Sequence, residues 1–141
     1  MKILKKFLFI FAIILFASNS YAGRIEFLIK HADKIGLYFF YDADCEYCHM
    51  QLPIVEQLHK AYGISVLIIS ENGCPTANDL PCSDHPELFT KFHVIYHPVI
   101  IMVYRGQSGK PIFHQIGIGL TDFNTLTSRI YYYTKHRQGG N

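Results

Sequence analysis

The run IGLYFFY at 35–41 ends three residues before CEYCH at 45–49, and this junction constrains the chain more than any other stretch. A dense aromatic and aliphatic segment of that length has the pattern of a strand buried on both faces. After Cys45 the period changes. Cys48, Leu52, Val55, Leu58 and Tyr62 recur every three or four residues, as one face of a helix does, and Gly63 fits its C-cap. Cys45 therefore stands where a strand gives way to a helix.

A Cys-x-x-Cys followed by His has two strong chemical readings: covalent haem attachment, or a dithiol that cycles with a disulfide. Position bears on the choice. The free N–H groups of a first helical turn carry about half a positive charge. They favour a thiolate over a thiol, and can take a cysteine from about 8.5 to roughly 3.5–7.5. Cys45 is accordingly the expected nucleophile. Cys48, one turn in and on the apolar face, is the expected resolving thiol. Glu46, Tyr47 and His49 are the residues placed to tune the pair, with Glu46 and Asp44 acting against the thiolate through their negative charge.

The chain opens MKILKKFLFIFAIILFASNSYAG. Lys2, Lys5 and Lys6, an apolar run from Phe7 to Ala17 and a small-x-small site at Ser20-Tyr21-Ala22 read as a secretory signal peptide over 1–22, cleaved after Ala22. An uncleaved anchor is the alternative, but the run is short for a span. Three of the thirteen Lys and Arg lie in this leader, so the exported part has a slight acidic excess against its eleven Asp and Glu. No basic patch points to nucleic acid, and no later apolar run points to stable membrane insertion. Periplasmic export makes all four cysteines eligible for disulfides.

The rest of the pattern predicts one domain over 23–137. A short helix is expected over 24–34, and a second buried strand over 64–70. Asp84 and Glu87 resemble a capping box for a short helix, with Pro86 in its first turn. A strand opens at Pro98, a turn at RGQSGK leads to a strand over 112–118, and Thr121 caps a last helix with Phe123, Leu126, Ile130 and Tyr133 inside. Gln138 to Asn141 is expected as a loose tail. The order is β-α-β, short α, β-β-α: an α/β fold with a single mixed sheet covered by helices. Its first two strands are parallel and its last two antiparallel.

Strand, CEYC, a helix with Pro53 five residues past Cys48, and a late strand opening at His97-Pro98 together resemble the thioredoxin fold over nearly the whole exported part. The resemblance implies a cis-proline at Pro98 facing the dithiol. His97 and Pro98 would receive an extended substrate segment by strand addition, with the His97 ring directed at the dithiol. Within that fold, CEYCHMQLPIVEQLHKAYGISV and the later HPVIIMV look most like the periplasmic TrbB and TraF-type proteins of conjugative plasmid transfer. Those are thiol–disulfide isomerase- or oxidoreductase-like proteins that help assemble secretion and pilus machinery. The resemblance implies disulfide-containing exported clients, such as pilus or transfer-channel subunits, and a separate redox partner. Glu46 stands where the family usually has proline, and an intermediate reduction potential is expected.

Other readings compete. A haem protein would need a second ligand, and Met102 lies within a strand pattern. Zinc could draw on Cys45, Cys48, His49, Cys74 and Cys82, but CPTANDLPC lacks the close knuckle spacing of structural zinc sites. A purely structural Cys45–Cys48 disulfide would close too short a loop to stabilise much. Cys74 and Cys82 fit either a structural disulfide or a redox relay, and four cysteines allow three pairings. The expectation is a monomeric enzyme without metal or cofactor. A non-catalytic module docking secretion-system subunits is the alternative of a different class.

Overall fold

The computed structural model describes residues 1–138, with side chains described except at 2, 7–20, 137 and 138. Helix α1 spans Lys2–His31 and a 3-10 turn follows at Ala32–Lys34. Then come β1 Ile35–Tyr41, α2 Glu46–Tyr62, β2 Ser65–Ser70 and β3 Cys82–Asp84. The chain continues through α3 Pro86–Lys91, β4 Val99–Arg105, β5 Pro111–Ile118 and α4 Phe123–Gln138. The strands form one mixed sheet in the order β3-β2-β1-β4-β5. β1 pairs β2 in parallel and β4 in antiparallel, as the strand order predicts.

Burial on both faces explains the composition of β1. Ile35, Leu37, Phe39 and Tyr41 join α1, α2 and α4 residues in the larger core cluster. Phe40 turns to the other face, where it packs with Ile69, Phe89, Val99 and Ile101 beneath α3. On α2, Cys48, Leu52, Val55, Leu58 and Tyr62 are all buried, so the helical period is the packing face. Gly63 ends the helix at φ 73°, a left-handed conformation that a side chain would strain. Pro53 lies inside α2, as the resemblance implies.

Several expectations change. The helix expected over 24–34 is the end of the longer α1, which stops at His31, followed by the 3-10 turn Ala32–Lys34. Its Leu28 is fully buried in the core, and Phe27 meets the Tyr131 ring edge-on at 5.1 Å. No helix among the described residues is long and apolar enough to cross a membrane. β3 is an unpredicted edge strand of three partly or fully exposed residues, too short and too polar to leave a period. Asp84 ends that strand and caps nothing; His85 is the N-cap of α3, with Glu87 bonded to its ring at 2.8 Å. Asp122, not Thr121, caps α4: its Oδ1 accepts the Thr125 N–H at 2.9 Å. Thr121 is instead buried. Gln138 belongs to α4, and the rest of the expected loose tail, residues 139–141, lies outside the described residues.

Candidate active site

β1 delivers the chain to a tight turn, Asp42-Ala43-Asp44, at the edge of the sheet. Asp42 Oδ1 accepts the Asp44 N–H at 2.8 Å, a side chain mimicking a backbone turn. Asn72, from the loop after β2, ties the turn down. Its Oδ1 accepts the Ala43 N–H at 2.8 Å, and its amide donates to Asp42 Oδ1 at 2.9 Å and Asp44 Oδ2 at 3.2 Å. The turn ends on Cys45, which has extended φ and ψ and is the N-cap of α2.

The two sulfurs have different surroundings. Cys45 is partly exposed, and its Sγ accepts the Cys48 N–H at 3.2 Å, the bond an N-cap side chain makes. Cys48 is fully buried. Burial pushes its thiol well above the ordinary value, and the hydrogen bond to Cys45 adds to the shift. Both thiols are free. Cys45 is thus the accessible sulfur of the pair and Cys48 the shielded one.

The raised Cys48 pKa sets a sign for stability. A thiol that keeps its proton more tightly when folded contributes stability that is fully present below the unfolded value, about 8.5, and is lost progressively as pH rises from there toward the folded value. The reduced protein is therefore expected to lose urea resistance between about pH 8 and 9.5, with a flatter profile in Cys48→Ala. Equal slopes in the two proteins would remove Cys48 as the cause. Tyr41, whose pKa burial also raises, acts in the same direction only from about pH 10 upward.

Tyr41 and His49 form a network beside the dithiol. His49 Nε2 lies 2.8 Å from the Ala43 carbonyl, which can only accept, so Nε2 carries the proton. Nδ1 then accepts from the buried Tyr41 hydroxyl at 3.2 Å. Glu46 and Tyr47 are both exposed in the first turn of α2.

The His97–Pro98 bond is cis, as the resemblance implies. The His97 Nε2 faces Glu71 Oε2 at 3.5 Å, and its ring lies 5.4 Å from Phe89 of α3.

Cys74 and Cys82 form a disulfide, which selects one of the three pairings and joins the loop after β2 to β3. That bond withdraws two of the five ligands a zinc site would use. Haem attachment fits poorly as well: both His49 ring nitrogens are engaged, and Met102 is fully buried in central strand β4. Among the described residues, one group could converge on a cation: Asp42, Glu71 and His97, with ligand atoms within 4.8 Å of one another.

Sequence reasoning passed over Tyr41, Glu71, Asn72 and Gln51. Three of them left no local signal, because their partners are distant in the chain or their type is ordinary for its element. Gln51 did leave one. It sits beside Cys48, Leu52 and Val55 on the inner side of α2, and an uncharged polar side chain on an apolar face needs a buried partner.

A family model described as "TraF: F plasmid transfer operon protein" matches residues 11–131. Solved structures with a similar fold include the exposed lipoprotein thioredoxin of Streptococcus pneumoniae, at 15% identity and a TM-score of 0.51 over 74% of this chain and 89% of that one. A thioredoxin from Halobacterium salinarum is 23% identical, with a TM-score of 0.53 over 75% of this chain and 80% of its own. A secreted disulfide oxidoreductase of Mycobacterium tuberculosis is 13% identical, with a TM-score of 0.53 over 70% and 81%. At these identities the likeness is one of fold, and the fold is thioredoxin-like. No curated protein matches the sequence.

Proposed function

The chain belongs to the TraF family, and on that premise we propose that it is a thiol–disulfide oxidoreductase of the periplasm, serving exported proteins of a conjugative transfer apparatus. The observation that carries this reading is the pairing of an accessible Cys45 sulfur at a helix N-terminus with a buried Cys48 thiol one turn away.

In the reducing direction the Cys45 thiolate attacks one sulfur of a client disulfide. A mixed disulfide forms and the client's other sulfur leaves as a thiolate, which takes a proton from water. Cys48 then gives up its proton and attacks the Cys45 sulfur, releasing the second client thiolate. The client gains two electrons and the dithiol becomes a disulfide. The reverse sequence donates a disulfide. When a second client thiolate attacks the client sulfur of the mixed disulfide before Cys48 does, a new client disulfide forms and Cys45 leaves as the thiolate, which is isomerisation. Residues 1–22 act as the export signal in this reading. The family description, an F plasmid transfer operon protein, supports a place in transfer, and clients from the pilus or channel are part of this proposal.

Catalysed insulin reduction by dithiothreitol and refolding of scrambled ribonuclease test the reading together. Turnover in the first supports exchange, and in the second the isomerase form. A folded, reduced protein inert in both would favour a docking module with an idle dithiol. The reduction potential of the Cys45–Cys48 couple should lie below the strongly oxidising region near about −120 mV.

A further inference from the structure

Gln51 is fully buried on α2, one turn after Cys48. Its side-chain amide meets one backbone unit on both sides. Oε1 accepts the Thr121 N–H at 2.7 Å, and Nε2 donates to the Thr121 carbonyl at 3.0 Å. Thr121 lies in the connection between β5 and α4. Its hydroxyl donates to the Gly119 carbonyl at 3.2 Å. The Gly119 N–H donates to the Pro98 carbonyl at 2.8 Å. The site is closely fitted: a Cβ added at Gly117 would come within 3.2 Å of Thr121 Oγ1 and 3.3 Å of Leu126 Cδ2.

These bonds make one continuous path from the dithiol helix to Pro98, through Gln51, Thr121 and Gly119. We infer that Gln51 is a positioning residue that sets the dithiol against the Pro98 edge and so governs exchange with polypeptide disulfides, an inference that rests on the exchange activity proposed above. An amide suits the position because it supplies one donor and one acceptor to Thr121. An apolar side chain would leave both Thr121 groups buried and unpaired. That penalty would push the connection, and the Pro98 carbonyl it holds, away from α2.

The test compares Gln51→Leu and Gln51→Glu with the wild-type chain. The probes are a cystine-bridged peptide, iodoacetamide and amide hydrogen exchange. In Gln51→Leu, kcat/KM for the peptide is expected to fall about tenfold while alkylation of Cys45 stays within about twofold. Exchange of the Gly119 amide is expected to quicken about tenfold while that of Phe39 in β1 is unchanged. Gln51→Glu supplies a control that separates positioning from general damage. A buried carboxyl that is protonated offers Thr121 the same donor and acceptor, so its kcat/KM relative to wild type should recover as pH is lowered from about 8 to about 6. Unchanged peptide kcat/KM, unchanged Gly119 protection, or parallel loss of peptide turnover and alkylation in a folded Gln51→Leu would each overturn the inference. Should that variant not fold, a pH-independent ratio in Gln51→Glu would do so. Failure of the wild-type chain to exchange any disulfide would sink the exchange reading instead, and Gly119 protection would still decide whether the path exists.

Discussion

Cys45→Ser is expected to lower disulfide exchange by about a thousandfold or more, because the serine oxygen is not ionised at neutral pH and forms no mixed disulfide. Cys48→Ser should behave differently. Its first step survives, since the accessible sulfur is intact, but nothing resolves the adduct. Mixed disulfides with clients or with a cystine peptide should then accumulate and be visible without reductant on a gel. The geometry makes a further demand of the wild-type chain. Reduced protein at neutral pH should take one iodoacetamide adduct quickly, at Cys45, while Cys48 reacts only on unfolding, because it is fully buried and its thiol is held protonated. Equal labelling of both cysteines in the folded state would contradict the assignment of roles, and so would a Cys45 no faster than a free cysteine.

Replacing both Cys74 and Cys82 by serine should cost about 2.5 kcal/mol of stability on the chain-entropy account of so short a loop. That is about a 1–2 M drop in the urea midpoint of a domain this size. Turnover should be kept. The disulfide joins β3 to the loop after β2. Besides the backbone ladder, that edge strand is held by little: the Ile68 N–H donates to the Pro81 carbonyl at 2.9 Å, and Leu80 is buried beside it. Loss of exchange in a variant that still folds would instead give the Cys74–Cys82 pair a part in relaying electrons. Unchanged stability would mean that the pairing of β2 with β3 suffices without the covalent tie.

The placement of the two cysteines was legible because its signals are local. A switch from strand to helical period across CEYC places Cys45 at an N-cap and Cys48 on a buried face, and both assignments need only neighbours within one or two turns. The edge strand β3 was not legible, since three residues carry too little pattern and its register on Ile68 is set by pairing. The helix caps illustrate competition between equals. Asp84 and Thr121 have good capping side chains, yet one was drawn into a strand and the other was buried against Gln51, leaving His85 and Asp122 at the caps. His97 was placed correctly before a cis-proline. The contacts of its ring with Glu71 and Phe89 are ones that no spacing in the chain foretells.

By itself the sequence determined the order of elements through the first crossover, the strand buried on both faces, the dithiol at a helix start, and the proline that opens the antiparallel strand. Backbone propensity, hydrophobic period and residue spacing act over a few residues, and these features need nothing longer. Only the tertiary structure decided which cysteines pair, that Glu71 and Phe89 lie against His97, how Asn72 braces the turn before Cys45, and that Gln51 reaches Thr121 across a separation of 70 residues. Such contacts depend on where packing brings distant segments, and a buried polar group then bonds whatever partner the packing presents.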